Sequence, residues 1–353
     1  MKNYHLINLF LTGLMIITLF SCNEPEKQAD TPLEEIKKID KTLFEGRWSL
    51  YLPGGAGWLE IINKGEYFDG NILWYGGSVV PVSSVLFAED AMKVTSSREV
   101  VREKDENEDP VRVHTLTTWR TFTMINKDEL QGRAYIPQRN GLDIDVVEFS
   151  AKRLPPLPSA PDLTKINLGE PKKLFNGEDL DGWTLTNPDN VNGWKVESGI
   201  LINDPVQEEG KPHINYGNLR TEETFEDFNL KIEVNIPEGS NSGIYLRGIY
   251  EIQVMDSYGR PMDSHHMGGL YSRITPSVSA EKPAGEWQEL DITLWDHHLT
   301  VILNNTTIID NQPVMGVTGG ALTADEYSPG PIYLQGDHGE VMYRNMVLTP
   351  IVR

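Results

Sequence analysis

Residues 241–256, NSGIYLRGIYEIQVMD, bring together three polar side chains that could do chemistry. In a β-strand successive side chains point to opposite faces, so Glu251 and Gln253 share one face and the aliphatic residues between them take the other. Asp256 lies five positions after Glu251, and a single β-bulge would turn its side chain to the same face. We therefore expect two carboxylates for acid–base work and an amide for a hydroxyl-rich ligand on one cleft wall. The alternative is a solvent-facing strand with ordinary polar residues.

Histidines supply the next candidates. His338 lies in LQGDHGE, where Gly336 and Gly339 allow a tight turn that would direct its imidazole into a cleft. The alternative is a surface histidine on a hairpin. His265 and His266 are adjacent and therefore point apart on a strand, whereas metal sites are built from converging ligands. They remain the candidate ligands for a divalent ion, and the cofactor is left unknown.

The elements that must position these groups are β-strands. Residues 153–161, RLPPLPSAP, contain four prolines and predict an extended spacer, so we place a linker at residues 153–166. Before it, short alternating runs predict an antiparallel β-meander or small barrel at residues 41–152, an accessory domain. After it, residues 167–353 predict two stacked antiparallel sheets, a sandwich or jelly roll. The chain is therefore predicted to be all-β.

The beginning of the chain reads as an export signal. Residues 1–22 contain one early lysine and an apolar run, and LFSC at their end resembles the lipobox of bacterial lipoproteins. Cys22 is the single cysteine, so its expected use is as the lipidated first residue of the mature protein. Residues 23–40 then form a tether, and the expected location is the cell envelope, with contact to a membrane through the lipid anchor only.

The net charge of −21, from 31 basic and 52 acidic residues, disfavours binding to nucleic acids or anionic lipids. A neutral partner fits this balance better.

Five blocks in order resemble one family, the 3-keto-disaccharide hydrolase domain, over about residues 170–351. They are LFNGEDLDGW (174–183), NSGIYLRG (241–248), YEIQVMD (250–256), ITPSVSAEKPAGEW (274–287) and PIYLQGDHGEVMYRN (331–345). The resemblance implies a concanavalin A-like jelly roll. One departure is GGLYSRI at residues 268–274, where Ser272 and Arg273 replace part of a run that is usual in the family.

The resemblance also implies action on glycosides whose ring carbon 3 is a ketone. The ketone makes the neighbouring C2–H acidic, so a base removes that proton, the C1 substituent leaves, and water adds later. Glu251 is the expected acid–base residue, with Asp256 or His338 as its partner. The expected substrate-binding residues are Asn241, Arg247, Gln253, Gln335 and Arg344. Of these, Arg344 could instead have a structural role. A separate sugar 3-dehydrogenase is expected to supply the substrate.

Two other functions remain open at this stage. A laminarinase-type O-glycosidase would use a bulged strand reading roughly E-x-D-x-x-E, but this chain has Gln253 at the middle acid, and an amide cannot replace that charge. A non-catalytic carbohydrate-binding lipoprotein is the second alternative, because jelly rolls also serve as lectins. Binding without turnover would distinguish it.

Overall fold

The computed structural model describes residues 39–352. The predicted signal peptide at residues 1–22, with Cys22, and nearly all of the predicted tether at residues 23–40 lie outside the described residues. Within the described part of the chain, no helix has the length and apolar character needed to cross a membrane.

The prediction of an all-β protein is confirmed. Within residues 39–352 the helical elements are two short 3-10 turns, Lys41–Phe44 and Leu163–Lys165. Each begins after an aspartate whose side chain accepts a hydrogen bond from the backbone N–H two residues later, which is the usual way to cap such a turn. All other regular structure consists of strands.

The N-terminal half forms one antiparallel nine-stranded sheet in the order β4-β3-β2-β1-β9-β8-β7-β6-β5. Its strands are β1 (Gly46–Leu52), β2 (Gly55–Asn63), β3 (Phe68–Trp74), β4 (Val80–Pro81), β5 (Ser84–Ala88), β6 (Ala91–Lys104), β7 (Pro110–Asn126), β8 (Glu129–Pro137) and β9 (Ile144–Arg153). The sheet curls on itself, because Phe68 of β3 and Phe87 of β5 meet edge to face at 5.0 Å between ring centroids. The curl encloses a core around Trp48, Leu59 and Phe122, all fully buried.

The C-terminal half is a sandwich of two antiparallel sheets, as the jelly-roll prediction requires. Its strands are β10 (Lys172–Lys173), β11 (Trp183–Leu185), β12 (Trp194–Glu197), β13 (Ile200–Asn203), β14 (Leu219–Thr221), β15 (Phe228–Asn235), β16 (Asn241–Leu246), β17 (Tyr250–Met255), β18 (Trp287–Trp295), β19 (His298–Leu303), β20 (Thr306–Pro313), β21 (Tyr333–Leu334) and β22 (Val341–Pro350). The larger sheet has the order β12-β13-β22-β15-β18-β19-β20, with β10 paired to β22. The smaller has the order β11-β14-β21-β16-β17.

The core of the sandwich forms from alternating aliphatic residues on the inner faces of both sheets. Leu230, Ile232 and Val234 alternate along β15, and Ile292 and Leu294 continue the same layer on β18; all are essentially buried. Burial of apolar area at about 25 cal/mol per Å² is the main force that holds the two sheets together.

Three buried side chains from the N-terminal sheet join this core: Ala56 and Trp58 of β2 and Leu73 of β3. Trp58 of β2 is 3% exposed and belongs to the same apolar cluster as the sandwich residues. The Arg273 guanidinium stacks on its ring at 4.5 Å, and a Cβ at Gly316 would lie only 2.5 Å from the indole. The two halves therefore share apolar packing.

Candidate active site

A cavity of about 270 Å³ opens over the smaller sheet of the sandwich. It combines acidic, imidazole, phenol and amide side chains with bare backbone, a mixture typical of ligand sites. The lining residues are Gly76, Gly77, Asn218, Asn241, Tyr245, Glu251, Tyr271, Gly319, Gly320, Tyr333, Gln335, Asp337 and His338.

A larger groove, about 590 Å³, lies over the eight-stranded sheet. Three of its four charged lining residues form ion pairs: Lys231 lies 3.4 Å from Asp291, and Glu233 lies 2.7 Å from Arg344. Paired surface charges of this kind usually serve the outer face of a sheet. We therefore place the candidate site in the smaller cavity.

Two neighbouring strands position Glu251. In the β16–β17 ladder Glu251 lies directly opposite Tyr245, and Gly243 lies opposite Gln253. A Cβ at Gly243 would come within 2.4 Å of the Glu251 carboxyl oxygen. Glycine inside a strand normally weakens it, so its presence here marks a place where a neighbouring group needs the space. That group is the Glu251 carboxyl.

Burial changes the acidity of Glu251. The side chain is only 4% exposed, and this desolvation raises its pKa from 4.5 to about 8, against a smaller lowering by the Tyr245 hydrogen bond and the His338 charge. At neutral pH the carboxyl therefore carries its proton most of the time. A protonated buried carboxyl is a general acid, and it becomes a strong base once it ionises.

The contacts of Tyr245 agree with a protonated Glu251. The Tyr245 hydroxyl oxygen lies 2.8 Å from Glu251 Oε2 and 2.7 Å from the Gly319 carbonyl oxygen. A phenol has one hydrogen and can donate to only one of these acceptors. Both contacts become hydrogen bonds when Glu251 donates to Tyr245 and Tyr245 donates to Gly319. Geometry and burial thus favour the same protonation state.

His338 enters the cavity from the turn between β21 and β22. Its Nδ1 lies 2.7 Å from the neighbouring Asp337 carboxylate, and this hydrogen bond raises the pKa of His338 above its ordinary 6.5. Burial opposes ionisation of Asp337, but the contact with His338 outweighs it and lowers the Asp337 pKa. A carboxylate on one ring nitrogen fixes the orientation of the imidazole and leaves Nε2 for proton transfer.

Two amide residues of the cavity lining carry an unpaired, buried oxygen. The buried side-chain oxygens of Asn241 and Gln335 have no hydrogen-bond partner among residues 39–352. Leaving a buried polar atom unpaired costs about 1–3 kcal/mol, so each such atom in a folded protein asks for an explanation. Both residues line the cavity, and a ligand rich in hydroxyl groups would pair with them.

The structure therefore brings four of the predicted residues together: Glu251, His338, Asn241 and Gln335 all line one cavity. It does not bring Asp256 there. The β16–β17 pairing runs without a break from Leu246↔Tyr250 to Asn241↔Met255, so the predicted bulge is wrong. Asp256 instead accepts a hydrogen bond from the Gly239 backbone and lies 3.6 Å from Arg260.

Three predicted substrate-binding residues also lie elsewhere. Gln253 shares the Glu251 face of β17 but is 3% exposed, and its amide contacts the Met255 sulfur outside the cavity lining. Arg247 lies in the turn before β17 and donates to the backbone carbonyls of Glu326 and Ser328. This buried guanidinium holds a loop rather than a ligand.

Arg344 is on the eight-stranded sheet, away from the cavity. It donates to Glu233 at 2.8 Å, and its guanidinium stacks on Trp287 at 3.9 Å. The expectation that it bonds a neighbouring carboxylate holds, but that carboxylate does not belong to the site.

The two candidate metal ligands make separate contacts. His265 Nε2 lies 2.8 Å from Ser78 Oγ, whereas His266 is buried against Glu281 at 2.8 Å. Within residues 39–352 no group of three or more His, Cys, Asp or Glu side chains is arranged to hold a metal ion. The cofactor therefore stays open.

Sequence reasoning missed several residues of the site. Tyr245 lies on the same face of β16 as Asn241, two periods along, so strand alternation could have found it. Asp337 adjoins His338 in the sequence, so it could also have been identified as a site residue. Tyr333 stacks on Tyr245 at 4.1 Å between ring centroids, but a two-residue strand gives no periodicity signal.

Fold and cavity together define an all-β protein with a jelly-roll sandwich that carries a buried acid, an imidazole–carboxylate pair and free amides. A family model described as the 3-keto-alpha-glucoside-1,2-lyase-like domain matches residues 170–349, slightly more than half of the chain. The chain belongs to this family, as the resemblance of its five sequence blocks indicates. It is a carbohydrate-active hydrolase in this broad sense.

The three solved structures described next are at most 25% identical to this chain. A protein assigned as a glycosyl hydrolase from Parabacteroides distasonis is 25% identical, covers 57% of this chain and 94% of its own, and has a TM-score of 0.43. The carbohydrate-binding module CBM66 from Bacillus subtilis is 13% identical, with 47% and 93% coverage and a TM-score of 0.32. The endo-beta-1,3(4)-glucanase SCLam is 9% identical, with 56% and 94% coverage and a TM-score of 0.35. No curated protein matches the chain.

Proposed function

We propose that this protein cleaves 3-keto-glycosides by elimination of the C1 substituent followed by addition of water. The observation that carries the proposal is the pairing in one cavity of a buried Glu251, protonated at neutral pH, with an imidazole held by Asp337. Elimination next to a ketone needs a base for an acidified C–H and an acid for the leaving oxygen. The cavity offers one candidate for each.

In the proposed sequence His338 Nε2 removes the proton from C2. The C–H electron pair forms a C2=C3 double bond, and the C3 carbonyl becomes an enolate. When the C3 carbonyl reforms, the electrons of the C2=C3 bond form C1=C2 and the C1–O bond breaks. The departing oxygen takes the proton of Glu251, and water adds across C1=C2 to give the net hydrolysis. The amides of Asn241 and Gln335 hold sugar hydroxyl groups during these steps.

The same cavity disfavours an ordinary O-glycosidase. That reaction uses two carboxyl groups flanking the bond, about 5 to 9 Å apart. The strand that carries Glu251 presents no second carboxylate there, because Gln253 is an amide and Asp256 turns away. The second acid of the cavity, Asp337, is engaged by His338.

The test compares matched 3-keto and unoxidised glucosides, with and without a chelator, against wild type and three variants. Glu251→Gln and His338→Ala should each lower kcat by about 10²–10⁴-fold, the usual contribution of a general acid or base. Glu289→Gln, an exposed glutamate on the opposite sheet, is the matched control and should keep full activity. Full activity in Glu251→Gln would remove its assigned role.

The pH dependence separates the two possible roles of Glu251. As an acid it must be protonated, so kcat/KM should fall through about pH 8, and the fall should vanish in Glu251→Gln. As a base it would instead produce a rise through the same pH. Binding of glycosides without turnover of any form would favour the alternative of a carbohydrate-binding protein.

We extend the proposal to location and partners. Cys22 is acylated and anchors the protein in the cell envelope, with membrane contact through the lipid alone. A sugar 3-dehydrogenase supplies the oxidised substrate. Labelling of wild type but not Cys22→Ser with radioactive palmitate would support the anchor, and equal labelling of both would contradict it.

A further inference from the structure

The cavity receives part of its wall from outside the family domain. Gly76 and Gly77, in the loop at residues 75–79 after β3, line it together with Glu251 and His338. This 75–79 loop belongs to the N-terminal sheet, whereas the family match begins at residue 170. The N-terminal half is thus more than an attached accessory.

Close backbone packing fixes the 75–79 loop at this position. A Cβ on Gly319 would lie 2.3 Å from the Gly77 carbonyl oxygen and 2.7 Å from the Gly77 nitrogen. The two backbone segments therefore come into contact at residues that have no side chain. The Gly320 N–H also donates to the Tyr75 carbonyl at 3.2 Å. A side chain at position 319 would prevent this approach, whereas Gly77 is favoured by its positive φ of 75°.

Side-chain hydrogen bonds hold the other end of the 75–79 loop. Ser78 Oγ lies 2.8 Å from His265 Nε2, and the Val79 N–H donates to Ser272 Oγ at 2.7 Å. Ser272 and His265 both lie within the residues that the family model matches, so these two hydrogen bonds join the 75–79 loop to the family domain.

From these contacts we infer that the 75–79 loop is the specificity wall of the site, which closes one end of the cavity and restricts it to small glycosides and chain ends. This inference rests on the proposed function and names its substrate class. The cavity volume of about 270 Å³ lies just below the range of about 300–1,000 Å³ that is usual for ligand sites. Internal bonds of a polysaccharide would need a cleft open at both ends.

Gly76 offers a direct test, because a Cβ there meets no atom within 4 Å and its φ is not positive. A series Gly76→Ala, Gly76→Leu and Gly76→Trp adds volume in steps at the cavity wall. Glu66→Trp, at an exposed turn of the same sheet, is the matched control. The substrates are 3-keto glucosides with methyl, nitrophenyl and glucosyl groups at C1, and an oxidised β-glucan polymer.

We expect the Gly76 series to lower kcat/KM progressively, mainly through KM, by tenfold or more for the nitrophenyl and glucosyl substrates in Gly76→Trp. The methyl glucoside should lose less, and Glu66→Trp should match the wild type. An unchanged substrate profile in a folded Gly76→Leu or Gly76→Trp protein, or cleavage of internal polymer bonds by the wild type, would overturn the inference.

Calorimetric titration with the unoxidised glucosides distinguishes this inference from the proposed function. If the wild type binds them but cleaves no 3-keto-glycoside, the proposed reaction fails, and the Gly76 series is then judged on Kd with the same expected order. If the wild type neither binds nor cleaves any glucoside of the panel, both proposals are overturned.

Discussion

Replacing Glu251 by glutamine should stabilise the protein, and increasingly so as the pH rises. The pKa of this carboxyl is about 8 in the folded state against 4.5 ordinarily, because folding removes it from water. Between these two values the unfolded chain has lost the proton and the folded chain keeps it. The folded state then binds more protons, so the free energy of unfolding decreases as the pH rises.

The magnitude follows from the two pKa values. A tenfold change in an ionisation constant corresponds to about 1.4 kcal/mol, so burial of Glu251 costs on the order of 3 kcal/mol at pH 7 and on the order of 5 kcal/mol at pH 9. A neutral glutamine avoids this cost and keeps the shape of the side chain. Against a total stability of about 5–15 kcal/mol for a typical domain, the effect is large.

Urea unfolding at pH 5, 7 and 9 measures the effect. The stability of Glu251→Gln relative to wild type should grow by on the order of 4 kcal/mol between pH 5 and pH 9. Glu289→Gln, whose side chain is exposed, should show no such trend. Because only the difference between variant and wild type is used, other titrating groups cancel. A difference that is constant with pH, or one that shrinks, would refute the reasoning about burial.

Three further predictions concern the neighbours of Glu251. Asp337→Asn removes the negatively charged acceptor that raises the His338 pKa, so the rising limb of kcat/KM should move to lower pH; an unchanged profile would show that the pair does not work together. Asn241→Ala should raise KM without lowering the free energy of unfolding, because it removes an unpaired buried oxygen, whereas lost stability at constant KM would make the amide structural. Tyr245→Phe leaves the Gly319 carbonyl without its donor and should destabilise by about 1–3 kcal/mol in urea unfolding.

The sequence predicts the parts of this site that depend on local geometry. Strand alternation placed Glu251 on a defined face, and glycines flanking His338 predicted a turn that presents the imidazole. The error at Asp256 has a local cause too: the argument needed a bulge, and nothing in the residues of β16 or β17 required one. Strand β17 is also buried on both faces, which alternation alone did not predict.

The remaining parts depend on contacts between residues far apart in the chain. The approach of Gly77 to Gly319 joins positions more than two hundred residues apart, and each glycine alone reads as an ordinary turn. Arg247 looked like a ligand contact because it lies near Glu251 in sequence, yet its turn directs it to the 326–328 backbone. Long-range packing, which a single sequence does not encode locally, decides these cases.

The acidity of the site and its selectivity have one physical origin. Glu251 stays protonated at neutral pH because burial removes it from water, and the 75–79 loop packs against Gly319 in the wall of the same cavity. Trp58, which is buried in the sandwich core, holds the N-terminal sheet in place behind that loop. A wider opening would admit larger glycosides but would also hydrate the carboxyl and lower its pKa. The narrow cavity therefore follows from the same packing that makes Glu251 an acid.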